Sequence, residues 1–163
     1  MANDAYALEN AAGQGHDSFV RLMLDYQSDL ATRIGVGVRS QGSADPVKSK
    51  ELTEFLFQHG MNPNHRHWLG ITPLHRFAQR DDLNNAAIFI DHSADVNAVD
   101  DEFRSTPLGY AVKYGKKNMV EFLLNHGADP NLPASPSWAS PLAWANKRGF
   151  NEIAAMLLKY GAK

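Results

Sequence analysis

The sequence contains no cysteine. This absence excludes a disulfide framework, a thiolate metal site and a cysteine nucleophile. The sequence also has no apolar run that approaches the roughly 18 residues needed to span a membrane. The first residues lack the basic and apolar segments of a secretory signal. We therefore expect a soluble, cytoplasmic protein with no membrane segment.

Neither sign of charge is in strong excess, because 16 lysines and arginines stand against 18 aspartates and glutamates, a net charge of −2. This near balance argues against a protein dominated by nucleic-acid binding, although a local basic face is compatible with it. No glycine-rich phosphate loop follows a strand pattern, and no serine–histidine–aspartate constellation stands in a recognisable context. We expect neither an enzyme nor a bound cofactor.

One motif is present three times: "TPLHRFAQR" from Thr72, "TPLGYAVKYG" from Thr106 and "SPLAWANKRG" from Ser140. Equivalent residues recur 33 or 34 positions apart, both in the motif (Leu74, Leu108, Leu142) and at a later glycine or serine (Gly60, Ser93, Gly127, Gly161). Extending this period backwards reaches Gln41 and Leu8. A regular period of this length is typical of repeat architectures. The period predicts a single domain of about five units, with approximate bounds 1–27, 28–66, 67–100, 101–134 and 135–163.

Each unit is predicted to form two short helices. The threonine or serine of the motif can cap the first helix, and the proline that follows suits its first position. The second helix shows apolar spacing of i, i+3 and i+4, as at Val120, Leu123 and Leu124. The recurring glycine can close it in a left-handed conformation. In the turn that follows, we expect short polar side chains to bond nearby backbone, namely Asn64, Asn97, Asn131, Asp95 and Asp129.

The period, the "TPLH" of Thr72 to His75 and the "VEFLLNHGADPN" of Val120 to Asn131 resemble ankyrin repeats. The resemblance implies an all-α solenoid of stacked helix-turn-helix units joined by projecting loops, here called fingers. Stacking lets each unit bury an apolar stripe that it cannot bury alone. The resemblance also implies a hydrogen-bonding role for His75 in its turn, and a protein that binds partners through its fingers and the concave face of its first helices.

The second unit departs from this pattern, since Arg39, Ser40 and Gln41 stand where Thr-Pro-Leu is expected. Here we predict a displaced short helix over 29–34 capped by Ser28, no ordinary finger, and a long second helix from Asp45-Pro46 to Gln58. The glycine-containing segment between these helices is expected to be mobile. The last finger, "LPASPSWAS", is rich in proline, and we expect it to be extended rather than a regular hairpin.

Two groups of residues could suggest metal chemistry. Three histidines recur just before the closing position, which favours a structural role at the helix end (His59, His92, His126). His65 and His67 could share a face of a strand, but no third ligand stands at recognisable spacing. The acidic run Asp100 to Glu102 is interpreted as a solvated turn at a finger tip, with a cation site as the alternative. We expect no metal.

The family resemblance selects candidate partner-binding residues by position. The fingers contribute Trp68, Leu69 and Ile71, then Glu102, Phe103 and Ser105, then Ser137, Trp138 and Ala139. The first helices contribute the pairs Gln79-Arg80, Lys113-Tyr114 and Lys147-Arg148, which include a basic stripe (Arg80, Lys113, Lys147, Arg148). The finger aromatics can be interface anchors or can fold back onto neighbouring fingers. The stripe can be a solvated face, or can meet an acidic protein or a nucleic acid.

The resulting hypothesis is a non-catalytic, monomeric module that binds another protein. One alternative is an inhibitor or immunity-type protein that blocks a partner enzyme with its groove. Another is a nucleic-acid-binding solenoid that uses the basic stripe, although we consider nucleic acid a less suitable partner for this chain. Tyr110 and Trp144 follow the motif leucine by two residues, and we expect them to pack between adjacent first helices.

Overall fold

A computed structural model describes residues 2–33, 50–66, 69–134 and 137–163. These residues form helices and loops, with no strand among them. The α-helices are α1 (Ala2–Gln14), α2 (Asp17–Tyr26), α3 (Lys50–Gln58), α4 (Pro73–Arg80), α5 (Leu83–Asp91), α6 (Pro107–Lys113), α7 (Lys117–Asn125), α8 (Pro141–Arg148) and α9 (Asn151–Lys159). Two short 3₁₀ helices cover Ser28–Arg33 and Ser137–Ala139.

The helices stack in two layers. In the first layer α4 packs on α6, and α6 packs on α8; in the second, α3 contacts α5 and α7 contacts α9. The core lies between the layers and is continuous from Leu8 near one end to Leu157 near the other. The predicted all-α ankyrin-type solenoid is confirmed. No helix in the described part of the chain is both long and apolar enough to cross a membrane.

The predicted helix ends are also found. Thr106 and Ser140 cap α6 and α8 by accepting hydrogen bonds from the backbone N–H groups of Gly109 and Ala143. Each is followed by proline at the first helical position, which needs no N–H partner there. At the far end of the second helices, Gly60 and Gly127 have φ of +85° and +87°. The helix ends in these repeats therefore coincide with residues that favour the backbone conformation required there.

The turn asparagines bond differently from what we expected. Asn97 reaches the following unit, where its Nδ2 donates to the carbonyl of Gly127 (3.3 Å) and its Oδ1 accepts from the N–H of Asp129 (2.9 Å). The aspartates do bond locally, since the carboxylate of Asp95 accepts from the N–H of Asn97 (2.9 Å). The same cross-unit pair recurs at two further asparagines, Asn64 and Asn131. These asparagines therefore join successive units.

Two predictions concern the irregular parts of the chain. A short 3₁₀ helix over Ser28–Arg33 lies where the displaced helix is predicted and includes Ser28, and α3 ends at Gln58 as predicted. The start predicted at Asp45-Pro46, the missing finger and the mobile segment lie outside the described residues. The expectation of an extended last finger is wrong for Ser137–Ala139, which form a 3₁₀ turn that brings Ala139 into full burial.

Candidate protein-binding surface

The first helices α4, α6 and α8 place nine side chains in three rows, because equivalent positions recur every 34 residues. We call these nine residues the inner surface. The rows are Arg76–Tyr110–Trp144, Gln79–Lys113–Lys147 and Arg80–Tyr114–Arg148. Five of the nine are lysine or arginine and none is acidic. A region of positive charge therefore lies on a chain whose net charge is −2.

A cluster of aromatic rings holds Lys113 at the centre of this surface. Its Nζ lies 3.6 Å from the ring centroid of Phe103, 5.1 Å from that of Trp144 and 5.8 Å from that of Tyr114. Lys147 lies over Trp144 as well, at 5.3 Å. Aromatic faces attract cations through the ring quadrupole, so these contacts fix two flexible lysines in place. Burial and the nearby Arg148 lower the pKa of Lys113.

Tyr110 forms the floor beneath this cluster. It is buried, and its ring meets His75 of α4 edge-on with centroids 5.0 Å apart. The expectation that Tyr110 packs between adjacent first helices is confirmed. Burial raises the pKa of Tyr110 above its usual range, so the phenol stays neutral. Trp144, in the equivalent place on α8, is half-buried and contributes its ring to both lysines.

The predicted finger residues fall into different environments. Trp138 is 57% exposed, whereas Phe103 folds back against Tyr110 and Lys113 of its own unit rather than against a neighbouring finger. Leu69 is half-buried. Ile71 is 3% exposed and belongs to the interior, so its place among the contact residues is wrong. Trp68 lies outside the described residues, and Ser137 lies on the 3₁₀ turn.

The helix-face residues are more uniformly accessible. Tyr114 is 43% exposed, and Arg80, Lys147 and Arg148 are exposed at the ends of their helices. Gln79 is half-buried and accepts a hydrogen bond from Arg76 (3.4 Å). Two further finger positions are fully buried, Ser105 and Ala139, which removes them from the accessible set.

The acidic run of the second finger is not simply a solvated turn, because Asp100 is fully buried. One carboxylate oxygen accepts from the N–H groups of Glu102 (2.9 Å) and Phe103 (2.6 Å), and the other accepts from that of Ser105 (2.9 Å). Asp101 and Glu102 are exposed, in keeping with the expectation. Asp100 is thus an internal brace that shapes the finger and positions Phe103.

The three histidines that recur near the closing position make contacts within the fold. His59 and His126 each donate from Nδ1 to a carbonyl one turn earlier in their helices, at 2.8 Å and 2.7 Å, as the structural interpretation predicts. His92 instead bonds Glu54 of the neighbouring unit (2.8 Å) and stacks on Phe57 with centroids 3.9 Å apart. His67 lies outside the described residues. Within the described ranges no group of three or more histidines and acidic residues could hold a metal ion.

Sequence reasoning missed the first row of the inner surface. The period carried the signal, because stepping back 34 residues from Tyr110 reaches Arg76. The sequence favours packing over ligand contact for Tyr110 and Trp144, and Arg76 is not among the predicted contact residues. The structure shows that this row lies beside the predicted pairs, with Trp144 in contact with the lysines of the second row.

These observations define a helical-repeat solenoid with an aromatic and cationic surface on its first helices. The family model described as "Ankyrin repeats (3 copies)" matches residues 43–134, more than half of the chain. The chain therefore belongs to the ankyrin-repeat family, whose members generally act as protein–protein interaction modules and are typically non-catalytic. No curated protein matches the chain significantly in sequence.

Proposed function

We propose that this chain is a non-catalytic module that binds another protein through the inner surface and the finger residues Phe103 and Trp138. The observation that carries the proposal is the arrangement around Lys113, where three rings hold an ammonium group on a rigid helical layer. Side chains that are already ordered lose little entropy on binding, which favours affinity.

The exposed aromatic residues support this choice of surface. Trp138 and Tyr114 combine large apolar area with a polar group, and such residues dominate the energetics of many interfaces. Tyr114 is adjacent in sequence to Lys113 of the inner surface. Asp100 stabilises the finger that carries Phe103 through three backbone hydrogen bonds, so the partner meets a fixed rather than a mobile loop.

The proposal is tested by substituting exposed aromatics on this surface. Trp138→Ala combined with Tyr114→Ala should abolish capture of a partner from extracts of the source cells, and should weaken binding of the purified partner by at least tenfold in calorimetry. Leu158→Ala is the matched control, because Leu158 is 56% exposed on the outer helix α9. Circular dichroism checks that all variants remain folded.

Two results would contradict this assignment. Undiminished binding by the folded aromatic double variant would remove the inner surface from the interface. An equal loss in Leu158→Ala would place the interface on the outer layer.

A further inference from the structure

Part of the positive charge of the inner surface is not paired within the described part of the chain. Lys113, Lys147 and Arg148 make no ion pair with any carboxylate in the described part of the chain, and the two lysines lie against aromatic rings. On the outer helices the opposite arrangement holds, since Lys117 pairs with Glu152 at 2.6 Å. An aromatic face orients an ammonium group but leaves its net charge available to an anion.

The acidic residues of the finger that carries Phe103 make other contacts or stand at the finger tip. Asp100 is buried and takes three backbone hydrogen bonds, and Asp101 lies 3.9 Å from Arg66. Glu102 is exposed at the finger tip. Asp100 and Glu102 attract Lys113 without forming an ion pair with it, so the charges of Lys113, Lys147 and Arg148 remain available to a partner.

We propose that the inner surface binds an acidic polypeptide segment, with carboxylates seated on Lys113, Lys147 and Arg148 around the Trp144 ring. This rests on the proposed function and specifies the chemistry of the partner. Contacting helices lie about 8–10 Å apart, so equivalent lysines on α6 and α8 are separated by roughly that distance. In an extended polyproline-II segment, side chains three residues apart share a face and lie about 9 Å apart. In such a segment, acidic residues at every third position are therefore spaced as the two lysines are.

A polypeptide suits this surface better than a nucleic acid. Binding of single strands relies on open aromatic faces on which bases stack. Here Lys113 covers the Phe103 face at 3.6 Å, and two lysines lie over Trp144.

The test uses the full chain and a defined probe. The probe is a capped synthetic peptide of about nine residues with glutamate at every third position, an arrangement set by the polyproline-II repeat. A peptide with glutamine in place of each glutamate, and a single-stranded oligonucleotide of similar length, are the comparison ligands. Backbone amide shifts measured by NMR locate binding, and the same titrations give the affinity.

The glutamate peptide should shift amides of α6 and α8, and Lys147→Glu should weaken its binding at least tenfold. Lys159→Glu is the matched control because Lys159 is also an exposed lysine in the last turn of its helix, but on the outer layer. It should change the affinity less than twofold. Lys113→Glu should behave as Lys147→Glu does, provided that circular dichroism shows it folded.

Several outcomes would overturn the inference. These are equal binding of the glutamine peptide, shifts confined to other helices, unchanged affinity in Lys147→Glu, or tighter binding of the oligonucleotide with a steep dependence on salt. The inference can fail while the proposed function still stands. If the Trp138 and Tyr114 variant loses a protein partner while the glutamate peptide does not bind, the module binds proteins but not through acidic segments.

Discussion

The buried His75 makes stability depend on pH in a way that can be measured. Its Nδ1 accepts hydrogen bonds from the N–H (3.2 Å) and hydroxyl (2.8 Å) of Thr72, and its Nε2–H donates to the carbonyl of Ser105 (3.2 Å). This set of partners requires a neutral ring with its proton on Nε2. Burial lowers the pKa of His75 from 6.5 to about 4. Protonation would place a hydrogen on Nδ1 and remove the acceptor that caps α4.

The size of the effect follows from linkage. In the unfolded chain the imidazole has a pKa of 6.5, so the unfolded state takes up the proton before the folded state, whose pKa is about 4. The contribution of the neutral His75 ring to the free energy of unfolding is therefore complete above the pKa of the unfolded chain, 6.5. It falls as the pH decreases and levels off below the pKa of the folded state, about 4. Between neutral pH and roughly pH 4.5 the loss amounts to about 2.5 kcal/mol. That is a large part of the 5–15 kcal/mol that typically holds a domain folded.

Urea unfolding followed by circular dichroism at the two pH values measures this loss. His75→Asn keeps an oxygen near the Nδ1 position but does not titrate, so its stability should fall by about 2.5 kcal/mol less than that of the wild type over the same interval. His126→Asn, at an exposed helix end, is the control and should keep the wild-type difference.

An equal pH dependence in His75→Asn and the wild type would refute the reasoning. The NMR signal of the imidazole gives an independent reading in the unmodified protein. The His75 ring should show no titration while the pH is lowered to about 5, given its folded-state pKa of about 4.

Two further predictions concern the backbone of the fingers and turns. Asp100→Ala should lower the free energy of unfolding in urea by about 3 kcal/mol, because three N–H groups lose their acceptor. Asp101→Ala, at an exposed position of the same finger, should lower it by less than about 1 kcal/mol. Similar losses in the two variants would contradict the bracing role of Asp100. Ser93 has φ of +68° where its equivalents are glycines, so Ser93→Gly should stabilise by about 0.5–1 kcal/mol. Gly127 has φ of +87° and no atom near an added side chain, so Gly127→Ser should lower the free energy of unfolding through backbone strain alone. A loss of stability in Ser93→Gly would show that the backbone of Ser93 is not strained.

Much of the fold could be predicted because the same sequence signals for helix ends recur in several repeats. Thr106 and Ser140 precede proline in the same register, and each caps a helix. The cross-unit role of Asn97 could not be predicted in the same way. Local rules for asparagine consider bonds to nearby backbone, whereas the carbonyl and N–H that Asn97 meets lie about 30 residues further along the chain. Such bonds depend on stacking, which one unit does not encode.

The candidate surface was only partly predictable because exposure is also set by the neighbouring unit. Ile71 and Asp100 stand in fingers, where polar or exposed residues are expected, but both are buried in the stack. Phe103 stands at a predicted tip and instead packs against Tyr110 and Lys113 of its own unit. Position in the repeat thus indicates which helix face a residue occupies, while burial depends on the contacts that the folded chain makes around it.

The division between repeated and variable positions explains how one scaffold combines stability with a specific surface. Repeated residues such as Leu123 and Asn97 act within the stack, one in the core and one across units. The inner surface changes from unit to unit at fixed positions, from Arg76 through Tyr110 to Trp144. Because exposed members such as Lys147 touch neither the core nor the cross-unit bonds, charge can be reversed there at little cost in folding energy. Under the proposed function, stability and recognition therefore depend largely on different residues of the same helices.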